Sequence, residues 1–123
     1  MNKNSKITSW SFQGQDWGDW NNRVYVFFNN NSVIATAHIY YYYSKPHIAV
    51  ISNIYVSDAF QGERIGSEIM KILSDSIRHF KSFTEIRLWV KRGSWMQKWY
   101  ERLGFKYLKD KDDNDIWMQK KKP

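Results

Sequence analysis

The hydrophobic period changes twice between His47 and Val90, and this change restricts the fold more than any other feature of the chain. His47 to Val56 is β-branched and apolar nearly throughout, as expected of a strand covered on both faces. From Ile65 the apolar residues Ile65, Ile69, Ile72, Leu73, Ile77 and Phe80 recur at helical spacing, with Lys71, Asp75 and Arg78 opposite them. That spacing predicts an amphipathic helix of about four turns. Glu85 to Val90 then returns to a strand pattern. A helical crossover between two strands of one sheet brings the second strand back parallel to the first. The sheet is therefore expected to hold a parallel pair at its centre.

The remaining segments read as antiparallel additions to that unit. Ile7 to Phe12 reads as a short strand, and Val24 to Phe28 with Val33 to Tyr43 reads as a hairpin around the turn cluster Asn29 to Ser32. After the second central strand, Ser94 and Gln97 fit a capping box, Trp95, Trp99 and Leu103 give an apolar helical face, and Gly104 is a good stop. A helix of about three turns follows from these signals. Phe105 to Lys109 and Asp115 to Gln119 flank an acidic turn, Asp110 to Asn114, as a closing hairpin. The sum is an α+β fold: a mixed, mostly antiparallel sheet with a central parallel strand pair and two main helices. A length of 123 residues fits one domain, 1–123.

Composition excludes several classes. With 42% hydrophobic and 25% charged residues, neither disorder nor a fibrous repeat is expected. The absence of cysteine rules out a disulfide framework, thiolate zinc and a Cys nucleophile. Three scattered histidines lack ligand spacing, so no metal is expected, and His38 and His79 are expected to face solvent or partners. No run of about 18 apolar residues suggests a membrane span, and a cytoplasmic location is the default expectation. Charge is uneven: four basic and three acidic groups before residue 63 give +1, while fifteen and nine from there on give +6. An anionic ligand is thus expected to meet the second half of this basic protein.

Chemistry concentrates at the junction of the central strand and the long helix, Asn53-Ile54-Tyr55-Val56-Ser57-Asp58-Ala59-Phe60-Gln61-Gly62-Glu63-Arg64-Ile65-Gly66-Ser67. A glycine-bearing turn that feeds a helix N-terminus offers backbone N–H groups at the positive end of the dipole, which suits phosphate. About forty residues further on stands Trp99-Tyr100-Glu101-Arg102-Leu103-Gly104-Phe105. Together with the strand order, these residues resemble the GNAT superfamily of acyl-CoA-dependent N-acetyltransferases. Gln61 and Gly66 match the loop signature, and Tyr100, Gly104 and Phe105 match the later motif. The likeness runs from about Ile51 to Phe105 by motif and from Val24 by topology. The two helices usual after the family's first strand have no counterpart in the first 22 residues, so a shortened member is expected.

The resemblance implies that acetyl-CoA is the co-substrate and an amine the acceptor, by direct attack on the thioester. It implies that the backbone amides of Gln61, Gly62, Glu63, Arg64, Ile65, Gly66 and Ser67 cradle the pyrophosphate, and that Ile54, Tyr55 and Val56 bind pantetheine like an added strand. The strands splay near Val56 and Val90 in that picture, and Tyr100 is the general acid. Arg64 stands where the family has its middle Gly, at a strain of roughly 1–2 kcal/mol if the position needs positive φ. Gly93 stands where many relatives place an Asn, and positions 48–52 carry no Glu to act as base. Base candidates are Asp16, Asp19, His47, or water held by Ser52 or Asn53.

An alternative is a non-catalytic protein of the same fold that binds nucleic acid or a protein partner through Lys91, Arg92, Lys98, Arg102, Lys106 and Lys109. Exposed edge strands in a shortened chain also point to a homodimer as one way to cover them.

Overall fold

The structure, a computed structural model, describes residues 6–14 and 21–122, with Glu63 by its backbone alone. Seven strands, β1 (Ser9–Gln13), β2 (Asn22–Asn29), β3 (Ser32–Tyr40), β4 (Ile48–Val56), β5 (Glu85–Lys91), β6 (Lys106–Asp110) and β7 (Asp115–Lys121), form one sheet in the order β1-β2-β3-β4-β5-β7-β6. Helix α1 (Glu63–Arg78) joins β4 to β5, and α2 (Trp95–Arg102) joins β5 to β6. Only β4–β5 is parallel; the other pairs are antiparallel. The crossover expected from the change of period is present.

Strand alternation sorts the sheet into two unlike faces. Tyr25, Phe27, Ala35, Ala37, Ile39, Ala49, Ile51, Ile86, Leu88, Val90, Ile116 and Met118 form one buried cluster with Ile65, Ile69, Leu73 and Ile77 of α1 and with Trp99 and Tyr100 of α2. Both helices therefore cover the same side. No described helix covers the opposite face, which presents Val24, His38, Tyr40, Tyr55 and Trp89. Among the described residues no helix is long and apolar enough to cross a membrane.

The structure corrects several expectations. Strand β3 ends at Tyr40, not Tyr43, because the chain turns there, with Lys45 N–H bonded to Tyr42 O at 2.9 Å. Helix α1 stops at Arg78, before Phe80, and α2 has eight residues, nearer two turns than three. Its ends follow the expected signals. Ser94 Oγ accepts from Gln97 N–H at 3.2 Å, and Gln97 Oε1 accepts from Gly93 N–H at 2.7 Å, one residue outside a standard capping box. Gly104 has φ +99, with Phe105 N–H on Tyr100 O and Gly104 N–H on Glu101 O. These bonds make a Schellman motif whose apolar contact is the Tyr100–Phe105 ring pair, 5.8 Å between centroids.

Trp95 does not belong to the core. It continues the helical stripe of Trp99 but is 65% exposed. Strand β4 is likewise covered on both faces only in its first half. Ile48 to Ile51 are buried, while Ser52 to Val56 alternate between half-buried and exposed.

Candidate active site

The loss of cover along β4 has one cause. Parallel partners run Ile48–Glu85, Ala49–Ile86 and Val50–Arg87 and then stop, although β4 continues to Val56 and β5 to Lys91. A gap opens between the central strands. On its other side β4 stays bonded to β3, but out of step: Thr36 faces Tyr55 and His38 faces Ser52, so Ala37 opposes both Asn53 and Ile54. This is a β-bulge, and Asn53 takes φ +51 within it. Asn is among the few residues that adopt this conformation without large strain. Ser57 N–H bonds Ile34 O at 2.8 Å, so antiparallel alternation turns the backbone groups of Val56 and Ile54 towards the gap.

A 3-10 turn, Asp58–Phe60, leads from β4 into α1. Gln61 holds it: its Nε2 donates to Val56 O at 3.2 Å and to Asp58 Oδ1 at 3.1 Å. Gly62 caps α1 with φ +149 and ψ 160, a combination that is essentially glycine's alone. The first intrahelical bond runs from Gly66 N–H to Gly62 O at 3.2 Å, which leaves the amides of residues 63 to 65 without a helical acceptor. Arg64 lies in this first turn, exposed and not at positive φ, so it carries no strain. Gly93, where relatives place Asn, has φ +74, which Asn also tolerates.

These elements enclose a cavity of about 520 Å³ lined by Ile54, Val56, Gln61, Gly62, Gly66, Trp95, Met96, Trp99 and Tyr100. The expected site residues therefore divide. Ile54, Val56, Gln61, Gly62, Gly66 and Tyr100 share the cavity. The Tyr55 side chain stands on the opposite face of the sheet, Ile65 points into the core, and Ser67 lines a different depression with Met70 and Lys71. Trp95 and Met96 are wall residues that sequence reasoning did not assign.

Tyr100 is buried, and its hydroxyl has no hydrogen-bond partner among the described residues. Burial pushes its pKa up to about 12. Beside it lies Trp99, 5.0 Å between ring centroids with the planes tilted by 48°.

Neither the acidic turn nor the base candidate His47 lines the cavity. The acidic turn is held by structure: Asp110 accepts from Arg92 at 2.6 Å and from Tyr107 at 2.8 Å, and Asp112 caps the amides of Asn114 and Asp115. Both carboxyls are held below the ordinary range, Asp110 by the Arg92 guanidinium and Asp112 by those backbone amides. His47 precedes the start of β4, six residues and roughly 20 Å of strand from the bulge. Asp16 and Asp19 lie outside the described residues. Among the described residues no cluster of His, Asp or Glu could hold a metal.

A mixed seven-stranded sheet opened between a central parallel pair, with a helix N-terminus aimed at the opening, defines the class of acyl-coenzyme A transferase folds. The family model described as Acetyltransferase (GNAT) family matches residues 3–105, and the chain belongs to that family. No curated protein matches it significantly.

Among solved structures, it is similar to an acetyltransferase from Thermus thermophilus (TM-score 0.71, 16% identity, 85% of this chain and 66% of that one). It is also similar to PaiA N-acetyltransferase from Thermoplasma acidophilum in complex with coenzyme A (0.69, 22%, 82% and 61%). A third is a GNAT family acetyltransferase from Elizabethkingia anophelis with acetyl-CoA bound (0.69, 18%, 82% and 76%). The chain thus spans under two-thirds of the length of the first two.

Proposed function

We propose that the protein transfers an acetyl group from acetyl-CoA to an amine acceptor by direct aminolysis of the thioester. One observation carries this reading: Ile54 and Val56 beyond the end of the β4–β5 ladder, Gly62 and Gly66 on either side of the unpaired amides opening α1, and Tyr100 all border the same cavity. Family membership, and relatives named for bound coenzyme A or acetyl-CoA, support the same co-substrate.

Acetyl-CoA supplies an electrophilic thioester carbonyl and a thiolate leaving group. The amides of residues 63 to 65 take its phosphates at the positive end of the helix dipole. Arg64, exposed beside them, adds a charge-assisted donor. The backbone groups of Ile54 and Val56 bind the amide-bearing arm as an added strand, and an N–H in that stretch polarises the carbonyl oxygen. One well-placed donor of this kind contributes ~3 kcal/mol.

Tyr100 faces the leaving sulfur. A pKa of about 12 keeps its hydroxyl protonated, whereas a thiol titrates near ~8.5. The phenol therefore acts by donating a hydrogen bond to the departing thiolate and keeps its own proton.

Isothermal titration with acetyl-CoA is expected to saturate, with thiol release appearing only once an amine is added. A flat titration up to roughly millimolar coenzyme sinks the reading.

A further inference from the structure

The helix-covered face accounts for the acyl donor but supplies no base for the acceptor. The opposite face offers one. Directly across β4 from the cavity, an open depression of about 450 Å³ is lined by Asn22, His38, Tyr40, Ser52, Asn53 and Trp89. It sits on the bulge itself, where β4 and β5 have already parted, so an amine placed there looks through the gap. His38 is the register partner of Ser52 and is half-buried. Its Nε2 is covered by neighbouring side chains and has no hydrogen-bond partner among the described residues.

Resting on the transferase reading above, we propose that the acceptor amine occupies this depression, that His38 takes its proton, and that the acceptor is an amine titrating at about 8, an α-amino group and not a lysine-like side chain.

The surroundings of His38 favour a neutral ring. On β2 it faces Asn22, Val24 and Val26, on β4 Val50 and Ser52, and on β5 Trp89. On its own strand Thr36 and Tyr40 flank it, the Tyr40 ring 5.7 Å away between centroids. Tyr40 is the titratable neighbour, and burial, with Tyr42 beside it, raises its pKa so that it stays uncharged. Among charged groups Lys111 reaches this face, its Nζ 4.8 Å from the Trp89 ring centroid, and a cation there further disfavours an imidazolium; Glu85 pairs with Arg87, and Arg87 and Lys109 line a separate depression with Tyr42 and Trp117. Burial lowers the His38 pKa below its ordinary 6.5, which leaves a free lone pair at neutral pH. Catalytic hydrogen bonds of this kind commonly close only in the substrate complex.

The acceptor class follows from matching proton affinities. An α-ammonium at ~8 gives its proton to such an imidazole across a pKa gap of ~1.5 or more, whereas a lysine-like ammonium at ~10.4 faces at least ~4. In the step itself the amine nitrogen bonds the acyl carbon as the carbon–sulfur bond breaks. His38 has by then handed the ammonium proton on to water, so it takes the second N–H proton as the amide forms, and the thiolate leaves against the Tyr100 hydroxyl. The His38 imidazolium then returns its proton to water.

The test uses full-length protein, acetyl-CoA, and two probe amines, a dipeptide amide and Nα-acetyl-lysine amide, with thiol release followed from pH 5 to about 9. Expected are at least ~10-fold higher kcat/KM for the α-amine at neutral pH and an acidic limb below 6.5. In His38→Gln the limb moves to about 8, where the amine frees itself, and kcat/KM at pH 7 falls roughly 100-fold with acetyl-CoA binding unchanged. In His38→Ala, added imidazole restores activity. A limb that stays in place in His38→Gln but moves in Asp16→Asn or Asp19→Asn overturns this inference while leaving the transferase reading intact, as does preference for the lysine amine. Absence of transfer to any amine overturns both.

Discussion

Gly66 and Trp99 hold α1 and α2 together at the lip of the cavity: a Cβ added at Gly66 would stand 3.0 Å from the indole Cη2 and 3.2 Å from Cζ2. The glycine is helical, so its value there is the space it leaves for the ring rather than backbone freedom. The Gly66→Ala change gains about 0.5–1 kcal/mol of helix propensity and incurs about 1–3 kcal/mol of overpacking against a buried Trp. A net loss of about 1 kcal/mol in urea denaturation is expected, together with weaker acetyl-CoA binding as Trp99 is pushed into the cavity.

Tyr100→Phe separates binding from chemistry. The hydroxyl bonds no described residue, so its removal strands no buried partner, and stability is expected to hold within about 0.5 kcal/mol. A hydrogen bond to a charged atom contributes roughly 1.5–3 kcal/mol, so kcat falls about 10- to 150-fold while the acetyl-CoA Kd changes little. Single-turnover kinetics beside calorimetry read the two quantities separately. A drop in affinity that matches the drop in kcat would contradict the assignment.

The same phenol gives the protein an alkaline signature. Its folded pKa is raised to about 12 from 10.0, so the folded state favours the protonated form. The stabilisation this provides is full below pH 10 and is lost as pH rises towards 12. In denaturant titrations at stepped pH, wild type should lose stability relative to Tyr100→Phe across that window and run parallel to it below.

Trp95 overhangs the cavity while 65% exposed. Trp95→Ala should therefore leave unfolding nearly unchanged and weaken acetyl-CoA binding several-fold through lost apolar contact. An unchanged Kd would remove Trp95 from the site.

Gly104→Ala tests the stop of α2. The position needs φ +99, and an added Cβ meets Lys120 Cε at 3.3 Å, in the side chain whose Nζ bonds Leu103 O at 2.8 Å. A loss of about 1–2 kcal/mol follows from the backbone alone. Thermal unfolding should show a shift of several degrees.

What the residues announce in advance follows the range of the signals. The period change from His47 to Val90, the Ser94–Gln97 cap and the Gly104 stop are local patterns, and each lies where the pattern puts it. The bulge is different: it comes from β3 and β4 running out of step, with Ala37 opposite two residues, and nothing local in Ile-Ser-Asn-Ile-Tyr records that. Its one trace is Asn53, an Asn inside a strand. Trp95 reads as part of an apolar face because helical spacing gives the stripe of α2 but not that its first turn borders an open cavity. His38 reads as facing solvent or partners because alternation alone does not show which face lacks helices.

The early end of the β4–β5 ladder gives this sheet a third edge, in its interior. Edges normally sit at the flanks, where charge or brevity discourages unwanted pairing. Here the unpaired amides of Ile54 and Val56 lie with three strands on one side and three on the other. Their protons should exchange with solvent deuterium as quickly as those of an outer strand and slow when an extended ligand fills the place of the missing neighbour.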